Sequence, residues 1–165
     1  MADLASPFGQ LVASGSEFAN KRGLYLGRRS TMLHVALYRC SRGRLGNHIP
    51  GWPEARIALV DHTGARSGVK RTSPVMYLRD GESVVVMASK AGQPSHPAWY
   101  HNLKANPETT VQIGPMLREV RARIAGPEER GRLWRQFLEL YPPAEAYQRN
   151  AGARQIPIVV LEPRL

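Results

Sequence analysis

Cysteine is nearly absent, with Cys40 standing alone among 165 residues. A lone thiol forms no internal disulfide, and with no CxxC pair or His/Cys cluster there is no structural zinc site to propose. Histidines 34, 48, 62, 96 and 101 show neither HxxxH nor HxH spacing and read as scattered structural residues. The chain also lacks a Gly-x-Ser-x-Gly elbow and any paired-carboxylate motif, which leaves acid–base hydrolysis without machinery. No stretch approaches the ~20 apolar residues that cross a bilayer. Met1 to Phe18 lacks the basic-then-apolar order of a secretory leader, so the expected location is the cytoplasm. Redox chemistry would have to arrive with a bound cofactor.

Acidic residues are scarce as well. Thirteen Asp and Glu face 23 Lys and Arg, a formal charge of +10. A fold does not need such an excess, whereas partners bearing phosphates or carboxylates do. The surplus is concentrated in Lys21, Arg22, Arg28, Arg29, Arg39, Arg42 and Arg44, with no acid among them. On charge alone, an anion-binding arm and a solvated basic face are equally good readings. With 42% apolar residues the chain can bury one ordinary core, so a single domain is expected.

Residues 1–30 carry little periodic signal and read as an N-terminal arm, with a folded domain over 31–165. Ser30 and Thr31 suit the cap of a helix whose Leu33, Ala36, Leu37 and Cys40 recur at helical spacing and whose end falls near Gly43. Gly46 to Pro53 reads as a loop. Strands are expected at Arg56–Asp61, Arg71–Leu78 and Ser83–Ala88, the last two joined by the hairpin signal Asp80-Gly81. Pro97, Trp99 and Leu103 before Asn106-Pro107 mark a short helix. Thr109–Ile113 and Arg118–Ile124 form a hairpin whose second strand turns Val120, Ala122 and Ile124 inward. Pro127 opens a helix with Leu133, Trp134, Phe137 and Leu138 on one stripe, closed by Tyr141-Pro142-Pro143, and Ile156–Glu162 is the final strand. About six short antiparallel strands with three interspersed helices favour an α+β, mainly β, small barrel over a doubly wound sheet.

Thr63 to Pro74 joins two strands with two glycines and several hydroxyls and cations. Glycine lets backbone amides approach an anion, and arginine supplies a rigid fork for its oxygens. The segment has neither P-loop nor GxGxxG spacing, so an anion cradle and an ordinary basic hairpin loop remain balanced. Ser89-Lys90-Ala91-Gly92 ends a strand with a hydroxyl and a cation. In Pro97 to Asn102, core packing of Trp99 and a helix-end contact of Asn102 compete with a binding role. Tyr141 and Tyr147 bracket a proline turn and can wall a pocket or serve the surface.

Read in order, TGARSGVKR, ASKAG, PAWYHN, LELYPP and IPIVVLEP resemble the deazaflavin-dependent nitroreductase family from about Leu33 to Pro163. The resemblance implies a split β-barrel (FMN-binding split barrel-like) that uses coenzyme F420, a 5-deazaflavin with a phosphate and an oligoglutamate tail, as hydride donor. Carried over by position, Ala65, Arg66, Ser67, Arg71, Thr72, Ser73, Pro74, Val75 and Met76 hold the phosphate and ring edge. Met87, Ala88, Ser89 and Lys90 line the deazaflavin, and Ala98, Trp99, Tyr100, His101 and Asn102 close the phosphate side. Ser89, Tyr141, Tyr147 and Met76 face the acceptor, with Ser89 stabilising developing charge and a tyrosine or water giving the proton.

Three positions depart from the family pattern. Met76 and Ala144 stand where nitroaromatic-reducing members carry tyrosines, and Ala65 stands where arginine is common. The expected partner is a small electrophilic acceptor, either a quinone, an enone or a nitro compound. The protein is expected to be a monomer or homodimer, with its basic N-terminal arm in reach of a membrane surface. An FMN-dependent split-barrel reductase and a non-catalytic carrier of F420 or a lipid-like ligand are the alternatives. Nucleic acid is not an expected partner, because no aromatic-interleaved basic strand accompanies the charges.

Overall fold

A computed structural model describes residues 28–164. Most of the N-terminal arm, residues 1–27, therefore lies outside the described residues. In chain order the elements are α1 (Arg28–Cys40), β1 (His48–Ile49), β2 (Trp52–Thr63), β3 (Lys70–Asp80), β4 (Ser83–Met87), a 3-10 turn (Lys90–Gly92), α2 (Ala98–Ala105), β5 (Glu108–Ile113), β6 (Met116–Ile124), α3 (Pro127–Leu140), α4 (Ala144–Asn150) and β7 (Ile158–Pro163). Strands run in the order β1-β2-β3-β4-β7-β6-β5, and β2 also pairs with β5. That pairing closes six antiparallel strands into a barrel, as the hairpin-rich pattern predicts.

Period-two alternation builds two cores from the same strands. Val84 and Val86 of β4, with Val159 and Leu161 of β7, point into the barrel, where Trp99, Tyr100 and Leu103 of α2 plug one end. Val85 and Met87, with Ile158 and Val160, point outward under Leu133 and Phe137 of α3. Both faces of β4 and β7 are therefore covered, which explains why they read as continuous apolar runs. Leu133 and Phe137 are fully buried and contribute about 1.5–3 kcal/mol each.

Several elements differ from what their sequence patterns predict. The stripe Leu33, Ala36, Leu37 and Cys40 faces solvent rather than the core. Helix α1 is instead anchored by Tyr38, whose hydroxyl donates to the Ile57 carbonyl at 3.0 Å and accepts from the Gly114 amide at 2.9 Å. Hydrogen bonds on the opposite face thus decide its orientation. Ile124 is 38% exposed, because the inward phase of β6 ends at Ala122. The Gly46–Pro53 loop contains β1, a two-residue strand folded back on Trp52. Tyr141-Pro142-Pro143 ends α3 but opens a fourth helix, α4, since a proline is compatible with a helix start.

Candidate functional site

The phase that fills the barrel continues to its mouth. On β2, His62 follows Ala58 and Val60 in alternation, and on β3, Ser73 and Arg71 precede Val75. Pairing sets Val60 opposite Ser73 and His62 opposite Arg71. The plugging helix α2 brings Asn102, buried at its centre, to the same mouth. A polar cluster of His62, Arg71, Ser73 and Asn102 therefore replaces the aliphatic core where the barrel opens. The complementary phase carries Asp61 and Thr72, which bond each other and Arg39 and so tie α1 to the barrel.

These polar groups form one chain of hydrogen bonds. The Ala65 amide donates to Asn102 Oδ1 at 3.0 Å, and Asn102 Nδ2 lies 2.9 Å from His62 Nδ1. His62 Nε2 lies 3.0 Å from Ser73 Oγ. Burial first, and the Arg71 guanidinium second, push the His62 imidazole down to about 4, while Asp61 opposes them. The ring is therefore neutral at physiological pH.

Between β2 and β3 the loop closes tightly, with the Gly64 amide on the Val69 carbonyl at 2.9 Å and the Gly68 amide on the Gly64 carbonyl at 2.8 Å. A Cβ on Gly64 would meet the Ser67 hydroxyl, which would have to rotate out of the loop. Gly64, Ala65, Arg66, Ser67, Arg71, Ala98, His101 and Asn102 line a cleft of about 500 Å³. A second cleft of about 390 Å³ shares Arg71 and Ala98 and extends along Lys70, Thr72, Ser73, Pro97 and Trp99 to Thr31 and Met32 of α1. Arg66, Lys70 and Arg71 make no ion pair or side-chain hydrogen bond among the described residues. Arg118, Arg121, Arg123, Arg132, Arg149 and Arg164 each sit on a carboxylate. Arg66, Lys70 and Arg71 thus bring unpaired positive charge to a place where backbone amides and glycine also suit an anion.

The residues expected from sequence divide into three groups. Ala65, Arg66, Ser67, Arg71, Thr72, Ser73, Ala98, Trp99, His101 and Asn102 line the paired clefts. Val75, Ala88 and Tyr100 are buried in the barrel core, and Pro74 pairs with Leu59 on β2. Met76 and Met87 lie on the outward phase, in the second core with Tyr141, Tyr147 and Trp52. Tyr141 packs edge-on against Trp52 at 5.4 Å between centroids, and its hydroxyl lies 3.2 Å from that of Tyr147. Burial, reinforced by Tyr147, pushes the Tyr141 phenol well above its ordinary range. Ser89 and Lys90 sit on the turn after β4, where Lys90 Nζ donates to Ser95 Oγ at 2.7 Å. This turn abuts α4 so closely that a Cβ on Gly92 would meet the Tyr147 backbone at 2.8 Å. The turn thereby belongs with the tyrosine group.

Two residues escaped the sequence reading. His62 reads in the sequence as one of the scattered histidines, although its place two residues after the inward-facing Val60 puts it on the same strand phase. Arg154 clamps the turn through the Ala88, Ser89 and Gln93 carbonyls, at 3.2, 2.7 and 2.6 Å. No local pattern announces Arg154, because its partners lie some sixty residues away.

Residues 30–163 match the model of a family described as F420H(2)-dependent quinone reductase. An F420H(2)-dependent quinone reductase of Mycobacterium tuberculosis is 38% identical over 142 residues, 85% of this chain and 94% of that protein. A solved F420-H2 dependent reductase (FDR-A) is 41% identical, with TM-score 0.59, over 64% of this chain and 93% of its own. Another solved relative, a domain-swapped dimer, is 35% identical with TM-score 0.62 and covers 81% of this chain and 96% of its own.

Proposed function

The chain belongs to the F420H(2)-dependent quinone reductase family, and on that premise we propose that it is an oxidoreductase passing a hydride from reduced coenzyme F420 to a small electrophilic acceptor, foremost a quinone. The observation that carries the site assignment is the gathering of Arg66, Lys70 and Arg71, without ion-pair or side-chain hydrogen-bond partners among the described residues, around the loop from Gly64 to Arg71 and the two clefts that it borders. That donor set fits the phosphate and carboxylates of F420. When bound, the reduced deazaflavin supplies the hydride, so the protein needs no metal or acid–base dyad of its own.

The chain's own residues then have distinct tasks. Arg66 and Arg71 hold the phosphate through charge-assisted bonds, and Lys70 adds positive potential along the second cleft. Met76, partly exposed, gives an apolar face beside the tyrosines, with Met87 packed beneath α3 as support. Ser89, held in place by Arg154, offers a hydroxyl to the acceptor oxygen on which charge develops. Tyr147, half-buried and bonded to Tyr141, or water, returns the proton; Tyr141 itself holds its proton too tightly to serve well as an acid. Enones and nitro compounds are further acceptors in the same class.

We also assign α1 a contact with anionic membrane surfaces, where lipophilic quinones are held. Met32, Leu33 and Leu37 are exposed on α1, and Arg42 and Arg44 are exposed in the turn that follows it, an apolar surface and positive charge that suit an anionic interface. No helix among the described residues is long and apolar enough to cross a membrane. Following F420H2 oxidation with a soluble naphthoquinone tests the activity. Turnover with F420H2 and none with reduced FMN is expected; the reverse preference would replace F420 with a flavin, and binding of F420 without turnover would make the protein a carrier.

A further inference from the structure

The orientation of every group in the chain from Ala65 to Ser73 follows from its fixed end. A backbone amide can only donate, so the atom of Asn102 facing Ala65 N is the carbonyl oxygen. Asn102 Nδ2 then faces His62 and must donate, which makes His62 Nδ1 the acceptor. A neutral imidazole carries one proton, so it sits on Nε2 and is donated to Ser73 Oγ. Flipping the Asn102 amide would oppose two donors at Ala65, and moving the imidazole proton to Nδ1 would oppose two donors at Asn102, so either change forfeits at least one hydrogen bond at the buried end of the chain.

Ser73 therefore receives a hydrogen bond from inside the protein, while its own proton has no acceptor among the described residues. Ser73 lines the cleft of about 390 Å³ together with Arg71, Pro97 and Trp99. We propose that His62 is a positioning residue which, with Asn102, sets the Ser73 hydroxyl as a hydrogen-bond donor into the cleft, so that this point of the site takes an accepting oxygen or nitrogen of the bound cofactor. A ligand N–H placed there would leave the hydroxyl proton unpaired, so the chain selects orientation as well as affinity. The proposal rests on the reading that these clefts hold F420. The charged groups facing the ring are Asp61 on its own strand and Arg71 on β3, and Asn102 contributes a neutral partner from α2.

Histidine-labelled full-length protein, free of ligand, gives the first test. Nitrogen NMR at pH 7 should show His62 protonated at Nε2 only, with no titration above about pH 5; an Nδ1–H tautomer, or titration near 6.5, overturns the proposal. Fluorescence titration with F420 gives the second. Ser73→Ala should bind about tenfold more weakly. His62→Asn keeps an amide for Asn102 but cannot reach Ser73, so it should lose a similar factor, with no further loss in the double variant. His62→Gln, whose amide extends toward Ser73, should recover most of the affinity. Thermal unfolding confirms that each variant is folded. Wild-type affinity in Ser73→Ala, or additive losses in the double variant, would overturn the positioning role while leaving the cofactor reading intact. Failure of the wild-type protein to bind F420 would instead remove the cofactor reading, whatever the imidazole shows.

Discussion

The side-chain amide of Asn102 meets the imidazole of His62 at 2.9 Å in the mouth of the barrel, and its other end holds the loop amide of Ala65. One buried side chain thus couples α2, β2 and the cationic loop. Replacing it by alanine leaves two polar groups without partners, each costing about 1–3 kcal/mol. Asn102→Ala is expected to unfold at clearly lower urea concentration and to bind F420 more weakly. A variant with unchanged unfolding would show that water or neighbouring groups take over both bonds.

His62 gives stability a pH dependence whose direction is fixed. Its folded value of about 4 lies below the ordinary histidine value of 6.5. Above pH 6.5 neither state is protonated there, and the group contributes no slope. Between about 6.5 and 4 the unfolded chain takes up a proton that the folded chain refuses, so stability falls as pH falls. The full effect is on the order of 3 kcal/mol. Urea unfolding at pH 7.5 and pH 5 should differ more in the wild-type protein than in His62→Gln; equal differences would place the titration elsewhere.

Strand phase explains how much of this site was legible beforehand. The loop glycines and arginines, the Pro97 helix and the closing strand are local patterns, and each lies where its pattern predicts. Alternation on Arg118–Ile124 likewise places Val120 and Ala122 inward. The orientation of α1 was not legible, because Leu33 and Leu37 give a regular apolar stripe while Tyr38 decides the docking through hydrogen bonds to Ile57 and Gly114. His62 was hidden for the opposite reason. A polar residue on the inward phase reads as an interruption until Asn102, forty positions away, supplies its partner.

Acceptor preference should follow the second core. Met76 is partly buried there and Ala144 completely, so neither offers the ring or hydroxyl of a tyrosine. Quinones are expected to be reduced faster than bulky nitroimidazoles, which lose stacking area and a donor. Rates of F420H2 consumption with both classes decide the matter, and faster nitroimidazole turnover would contradict this account of the pocket.

Membrane contact through α1 predicts co-sedimentation with anionic vesicles at low salt and release as ionic strength rises. Leu33→Glu should reduce binding without altering thermal stability, since Leu33 is 61% exposed. Equal sedimentation with neutral vesicles, or with none, would remove the membrane from the account.

The central claim is that the loop from Gly64 to Arg71 holds the anionic part of F420, and fluorescence titration of Arg66→Ala and Arg71→Ala tests it most directly. Neither guanidinium has an ion-pair or side-chain hydrogen-bond partner among the described residues, so thermal stability should change little. Each loses a charge-assisted bond of about 1.5–3 kcal/mol to the phosphate, which corresponds to roughly ten- to hundredfold weaker binding. Such losses with unchanged unfolding support the assignment; wild-type affinity in both variants would contradict it.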